Sequence, residues 1–348
     1  MKKTFVALAV LAALGSASAQ VSVYGKVDLG VSSSTTNEAS KADQGLEVTS
    51  GNYEGSRFGV RGSHDLTGGL KLDGHYQFRV DAAGVDTNIQ DTRVATLGIS
   101  GGFGSLTAGL NWTPYDSAWG FDQLEYNGFS AANQSWYKGA HGDNGTTGWG
   151  TAKSSISYST PDMNGFNATV MYANTGDKTT TTKSVPYLGL GANYATGPMS
   201  INFGYEQVAS TAHNGTFPAK PGGALAGEKT SAMVVGASYN LGVATIGAGY
   251  QMANATVNTA KWEDKGYTVS VSVPVNASTT VALGYADETT TTSGSTDGSS
   301  IGFGAHVVHN WTKQAAIYAG VAQSTATAAG STTEVKKTKY AAGLRYNF

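Results

Sequence analysis

The sequence contains no cysteine. Disulfides, thiolate metal sites and cysteine nucleophiles are therefore excluded. Charge is scarce as well: Asp, Glu, Lys and Arg supply 13% of the 348 residues, about half the usual ~25%. An ordinary soluble enzyme carries more charge than this on its surface. A chain kept disordered by its own charge also needs more. Hydrophobic residues, at 40%, fall short of the typical ~45–50%. There are 7 prolines, and the glycines have no period of three, so a collagen-like chain is excluded. A formal charge of −2 leaves no basic footprint for nucleic acid. No Gly-x-Gly-x-x-Gly or P-loop motif supports a nucleotide cofactor. His306 and His309 lie three apart, on opposite faces of a strand, which argues against a metal pair. Asp73 and His75 share a face, but no Gly-x-Ser-x-Gly elbow accompanies them, so nothing points to an enzyme or to a cofactor. Glycine (47 residues), Ser, Thr, Asn and Tyr fill the space that charge and aliphatic residues leave.

Residues 1–19, MKKTFVALAVLAALGSASA, have the parts of a secretory signal peptide. Lys2 and Lys3 precede an apolar run from Phe5 to Leu14, and Ala17-Ser18-Ala19 is a small-x-small cleavage site. Cleavage before Gln20 removes two lysines and takes the charge from −2 to −4. No later run approaches the ~18 apolar residues of a transmembrane helix. The expected product, residues 20–348, is exported and crosses no membrane as a helix.

What the rest of the chain has is a period of two. Val21, Val23, Gly25, Val27, Leu29 and Val31 alternate with polar residues such as Ser22, Tyr24, Lys26 and Asp28. Leu70, Leu72, Gly74, Tyr76, Phe78 and Val80 alternate with Lys71, Asp73, His75, Gln77 and Arg79. Tyr340, Ala342, Leu344, Tyr346 and Phe348 alternate with Ala341, Gly343, Arg345 and Asn347. This is strand periodicity with one apolar face. Short turns rich in Gly, Pro, Asn and Asp, such as Pro161-Asp162-Met163-Asn164-Gly165, alternate with longer polar links such as 176–184, 209–229, 289–298 and 325–337. Together they predict sixteen strands, near 21–33, 53–64, 69–82, 91–100, 104–111, 151–160, 164–174, 185–196, 199–209, 230–241, 243–255, 262–273, 277–288, 297–309, 313–324 and 338–348.

Strands of about this length suit a tilted membrane crossing. Lipid cannot hydrogen-bond an open sheet edge, so the sheet is expected to close. An even strand number brings the two ends together, and 338–348 is expected to pair with 21–33. The expected fold is an all-β, antiparallel transmembrane barrel of sixteen strands, greasy outside and wet inside. Tyr24, Tyr76, Phe78, Tyr158, Phe166, Tyr172, Tyr194, Phe203, Tyr250, Tyr285, Tyr318, Tyr346 and Phe348 are candidates for interfacial girdles, although tyrosine is also simply a good strand former.

The longest inner link runs from Trp112 to Gly150 and is full of aromatics, among them Trp119, Phe121 and Phe129. Such residues suit packing against an inner wall better than life in solvent. Its acids include Asp116, Asp122 and Glu125. Around it stand Ser56-Arg57-Phe58-Gly59, Asp65-Leu66-Thr67-Gly68-Gly69, Arg93-Val94-Ala95-Thr96-Leu97-Gly98, Trp112-Thr113-Pro114, Ser159-Thr160-Pro161-Asp162-Met163-Asn164-Gly165-Phe166 and the terminal Tyr346-Asn347-Phe348. In order and spacing these blocks resemble Gram-negative general diffusion porins of the Neisseria/Burkholderia type, over the whole chain.

The resemblance implies an outer-membrane channel for passive diffusion of small hydrophilic solutes and ions. It implies a homotrimer embedded in outer-membrane lipid and lipopolysaccharide, with the third outer loop folded into the lumen. It also implies that Phe348 is read by the outer-membrane assembly machinery. By the same resemblance Arg57, Arg93 and Lys153 line the constriction. Arg61 is added because it shares the inward parity of Arg57. Asp116, Asp122 and Glu125 are expected to face this basic wall. Leu110 stands where the family often has Arg. The link 83–90 is a candidate latch onto a neighbouring copy. Basic wall against acidic loop suggests weak anion preference. A channel selective for sugars or organic acids remains an alternative, with Trp112, Tyr115 and Trp119 as an aromatic slide. So does a secreted β-sandwich adhesin, whose apolar faces would be buried.

Overall fold

The structure is a computed structural model that describes residues 19–38, 41–84, 89–125, 127–135, 150–175, 185–209, 229–257, 260–293, 295–328 and 331–348. The expected signal peptide but for Ala19, residues 85–88 of the candidate latch, the links 176–184 and 210–228, and the far end of the inner loop lie outside the described residues. Seventeen strand segments form one antiparallel sheet: β1 (Ala19–Thr36), β2 (Gln44–Ser50), β3 (Arg57–Asp65), β4 (Lys71–Val80), β5 (Ile89–Gly101), β6 (Gly104–Trp112), β7 (Thr151–Ser159), β8 (Phe166–Thr175), β9 (Val185–Thr196), β10 (Met199–Ala209), β11 (Lys229–Asn240), β12 (Thr245–Val257), β13 (Ala260–Asn276), β14 (Thr279–Thr292), β15 (Ser295–Asn310), β16 (Ala315–Ala328) and β17 (Glu334–Asn347). Both β2 and β3 pair with the same flank of β1, so the seventeen segments make sixteen staves. On its other flank β1 pairs with β17 from Lys26↔Asn347 to Thr36↔Lys337, and the barrel closes as the alternation requires. The link expected at 289–298 is shorter than the sequence suggested. β14 and β15 continue their pairing to Thr292↔Ser295, because the threonine run there is good strand material.

The second stave departs most from expectation. The alternation predicts a strand over 53–64; instead the stave is broken by an inward bend at residues 51–56. Its organiser is Asp28, which is fully buried on β1. The backbone N–H groups of Tyr53 and Glu54 donate to its carboxylate at 3.0 and 2.7 Å. The Tyr318 hydroxyl donates to the other carboxylate oxygen. Gly51 turns the chain at φ +75°, where a side chain is disfavoured, and donates its N–H to the Asp28 carbonyl at 2.9 Å.

The radial pattern is that of a barrel made for lipid. Val23, Leu97, Tyr76, Ile156, Tyr172, Leu283, Val269 and Leu344 point out and are exposed. Ser32, Gln77, Ser155, Ser157, Asn202, Gln251, Asp264 and Glu288 point in and are buried. The girdle expectation needs two corrections. Tyr318 is 2% exposed and faces inward onto Asp28. Tyr24 also faces inward, hydrogen-bonded to His75 and accepting from the Gln77 amide. Each lies on the polar parity of its strand.

The inner loop contains a one-turn 3-10 helix at Asp116–Ala118 and a short helix α1 (Ala131–Ser135). It is laid against the wall of β9–β16. Phe121 sits over Gly236 and Gly249, Leu124 over Gly284, and Phe129 over Gly304 and Gly320; a Cβ at any of these glycines would collide with the loop. Polar ties hold it further: Tyr115 donates to Gln251 at 2.9 Å, and the Gln123 N–H donates to Ser270 Oγ at 2.9 Å. An unexpected abundance of glycine thus has a place: a bare inner wall on which the loop can lie.

Candidate functional site

With one half of the wall covered, the open space lies between the loop and the β1–β5 side. There the structure holds a cavity of about 610 Å³, lined on the wall side by Glu54, Arg57, Gln77, Arg79 and Arg93, and on the loop side by Asp116, Glu125 and Asn127. Arg57 is on β3 with the inward parity read from the sequence. Arg93 reaches the cavity through a local irregularity. The β4–β5 ladder passes from Gln77↔Val94 to Phe78↔Thr92, leaving Arg93 as the extra residue of a bulge. A bulge re-aims the side chain it carries. Arg93 Nε donates to Gln77 Oε1 at 2.9 Å, and its guanidinium lies 5.0 Å from the centre of the Trp112 ring.

The bend at 51–56 places Glu54 among three cations. It is ion-paired to Lys26, to Arg57 at 3.3 Å and to Arg345 at 3.1 Å. Arg79 pairs with Asp91 at 3.4 Å. Among the described residues the wall therefore sets Lys26, Arg57, Arg79, Arg93 and Arg345 against three carboxylates, Glu54, Asp81 and Asp91. Opposite, Tyr53 donates its hydroxyl to Glu125 at 3.0 Å, tying the loop acid to the bend. Asp116 lies in the inner loop, outside the strands that cross the barrel. Burial by the surrounding loop pushes its carboxyl up to about 7, against the pull of the Arg93 guanidinium.

The expected residues fall into two groups. Arg57, Arg93, Asp116 and Glu125 are brought together around the cavity. Arg61, Lys153 and Asp122 are not among its lining residues. Arg61 lies nearer the short-turn end, over the Tyr24 ring at 4.5 Å. Lys153 is exposed beside Ser154, whose φ of +50° marks the irregular start of β7. Asp122 is buried and serves the loop itself: it takes a hydrogen bond from Ser130 Oγ and one from the Leu124 N–H at 3.0 Å. The expectation that it faces the wall is corrected; without a strand parity to read, a loop acid has no legible direction. The aromatic slide is also dismantled. Tyr115 and Trp119 are buried in the packing of the loop, and of the three rings only Trp112 lines the cavity. Lys26, Glu54, Arg79 and Arg345 were missed as site residues, although the parity that placed Arg57 already put Arg79, Lys26 and Arg345 on wet faces.

Residues 7–329 match the Gram-negative porin family. The chain belongs to that family. The porin is 32% identical over 343 residues to outer membrane porin protein 32 of Delftia acidovorans, a match covering 92% of this chain and 89% of the relative. It is 29% identical over 183 residues to a major outer membrane protein P.IB of Neisseria gonorrhoeae, covering 50% of this chain and 48% of that one. Among solved structures it resembles an anion-selective porin from Comamonas acidovorans, with a TM-score of 0.76 and 25% identity, covering 95% of this chain and all of the other. The porin is thus an outer-membrane channel protein and not an enzyme.

Proposed function

We propose that the cavity between the arginine wall and the inner loop is the constriction of a general diffusion channel with weak anion preference. One observation carries this: Arg57, Arg79 and Arg93 stand on one side of a water-accessible gap and Asp116 and Glu125 on the other. Side-chain charges of one sign bias which ions pass. Two unit charges ~4 Å apart interact by about 1 kcal/mol in water and about 4 kcal/mol at an effective dielectric of ~20. The preference is therefore graded and weakens as salt screens the wall. The likeness to the anion-selective porin from Comamonas acidovorans supports the same sign. The reading includes a homotrimer whose contacts use the apolar outer face, with residues 1–19 removed on export. Reversal potentials across a salt gradient test it. Arg57→Ala and Arg93→Ala are each expected to lower the chloride-to-potassium permeability ratio by about two- to five-fold. An unchanged ratio in both variants overturns the reading.

A further inference from the structure

We propose that the seam between β1 and β17 carries a second anion-binding site, at the long-link end of the barrel, that takes a multiply charged oxyanion such as inorganic phosphate. Register sets Lys339 opposite Ser34 and Lys337 opposite Thr36. Lys41 approaches from the link between β1 and β2. These three lysines, with Ser34, Thr36 and Gln134 of α1, line a cavity of about 400 Å³. Glu38 pairs with Lys41 at 3.4 Å and with Lys337 at 3.1 Å without lining that cavity itself. Glu38 is thus ion-paired to two of the three lysines; Asp43, which accepts the Thr36 N–H at 2.7 Å, and Glu47, which acts on Lys339, stand near by without lining the cavity. Among the described lining residues none is acidic; Ser34 Oγ donates to Gln44 at 2.8 Å and the Gln134 amide to the Gly128 carbonyl at 3.3 Å, while the Thr36 hydroxyl and the second Gln134 N–H add neutral donors to the lysine N–H groups.

The ligand class follows from the donor set. A dense oxyanion can accept from several donors at once, and a doubly charged one gains twice the attraction a halide gains from each lysine. The site is also separate from the constriction. Lys339 and Arg345 are six residues apart on one strand, about 20 Å at ~3.3 Å per residue. That exceeds twice the ~8 Å screening length at physiological ionic strength. The two clusters are therefore two places along the strand, although the buried Asp28 carboxylate that holds the bend still acts on Lys339. The inference does not rest on the sign of the ion preference; it adds a binding step before the narrow part of the lumen.

Calorimetric titration of the folded full-length protein in detergent with sodium phosphate, near neutral pH and at low salt, tests it. Wild-type protein is expected to bind phosphate saturably, with chloride competing poorly. Replacing lysines in Lys337→Gln/Lys339→Gln raises the half-saturating concentration by about five-fold per lysine. Lys339→Arg retains binding. Arg57→Ala/Arg93→Ala leaves the half-saturating concentration within about two-fold. Absence of saturable binding in wild type overturns the site. Loss of binding in the arginine variant, whether or not the lysine variant also loses it, overturns it too, because phosphate would then need the constriction. If the double lysine variant fails to fold, Lys41→Gln, in an exposed link, gives the deciding comparison.

Discussion

At the residue scale the strongest lever is Glu54. It is the single carboxylate shared by Lys26, Arg57 and Arg345, so it masks part of the wall it organises. Glu54→Gln is expected to raise the chloride-to-potassium permeability ratio by about two- to five-fold, opposite in sign to Arg57→Ala. Reversal potentials measured on both variants in one lipid check this. Asp116 gives a pH dependence. Its carboxyl titrates near 7, so it is neutral in acid and charged in base. Lowering the pH from about 8.5 to about 5.5 removes a negative charge from the loop and is expected to strengthen anion preference. Asp116→Asn is expected to flatten that response. Arg57 was legible in the sequence because strand parity gives a side chain its direction. Glu54 was not, because its direction is set by Asp28, whose carboxylate holds the bend from a different strand. Nothing local to residues 51–56 reports that contact.

At the scale of elements, the strands were readable nearly throughout. Alternation gave β9 and β10 at their observed limits, Val185–Thr196 and Met199–Ala209. The interruption of the second stave was hidden, since a bend held by one buried carboxylate leaves the flanking alternation intact. The position of the inner loop was half legible. Its aromatics announced a buried face, but which wall they meet depends on glycines scattered over β11, β12 and β14–β16. Those glycines make a prediction about the loop as a unit. Gly236→Leu or Gly304→Leu adds bulk where Phe121 or the Phe129 backbone now lies. The loop is expected to lift toward the open side. Single-channel recordings are expected to show lower conductance and more current noise, while the heat-modifiable gel mobility of the folded barrel persists. Unchanged conductance would separate the loop from the glycine wall.

At the scale of the whole molecule, closure is the central fact. The last residue takes part in it: Gly25 and Phe348 exchange backbone hydrogen bonds at 2.9 and 3.0 Å. Removing residues 334–348 leaves β1 and β16 with open edges, each unsatisfied group costing several kcal/mol in lipid. No heat-modifiable folded species is then expected on gels. Phe348→Ala is milder, because the backbone pairing survives. It is expected to lower the amount assembled in outer-membrane fractions while leaving the conductance of correctly inserted channels unchanged. The β1–β17 seam also runs beside the cavity, since Lys26 and Arg345 reach Glu54 from its two edges. The place where the chain meets itself is therefore the bank along which the current flows. Any loosening of the two ends would register first as an electrical fault, well before the cylinder as a whole came apart.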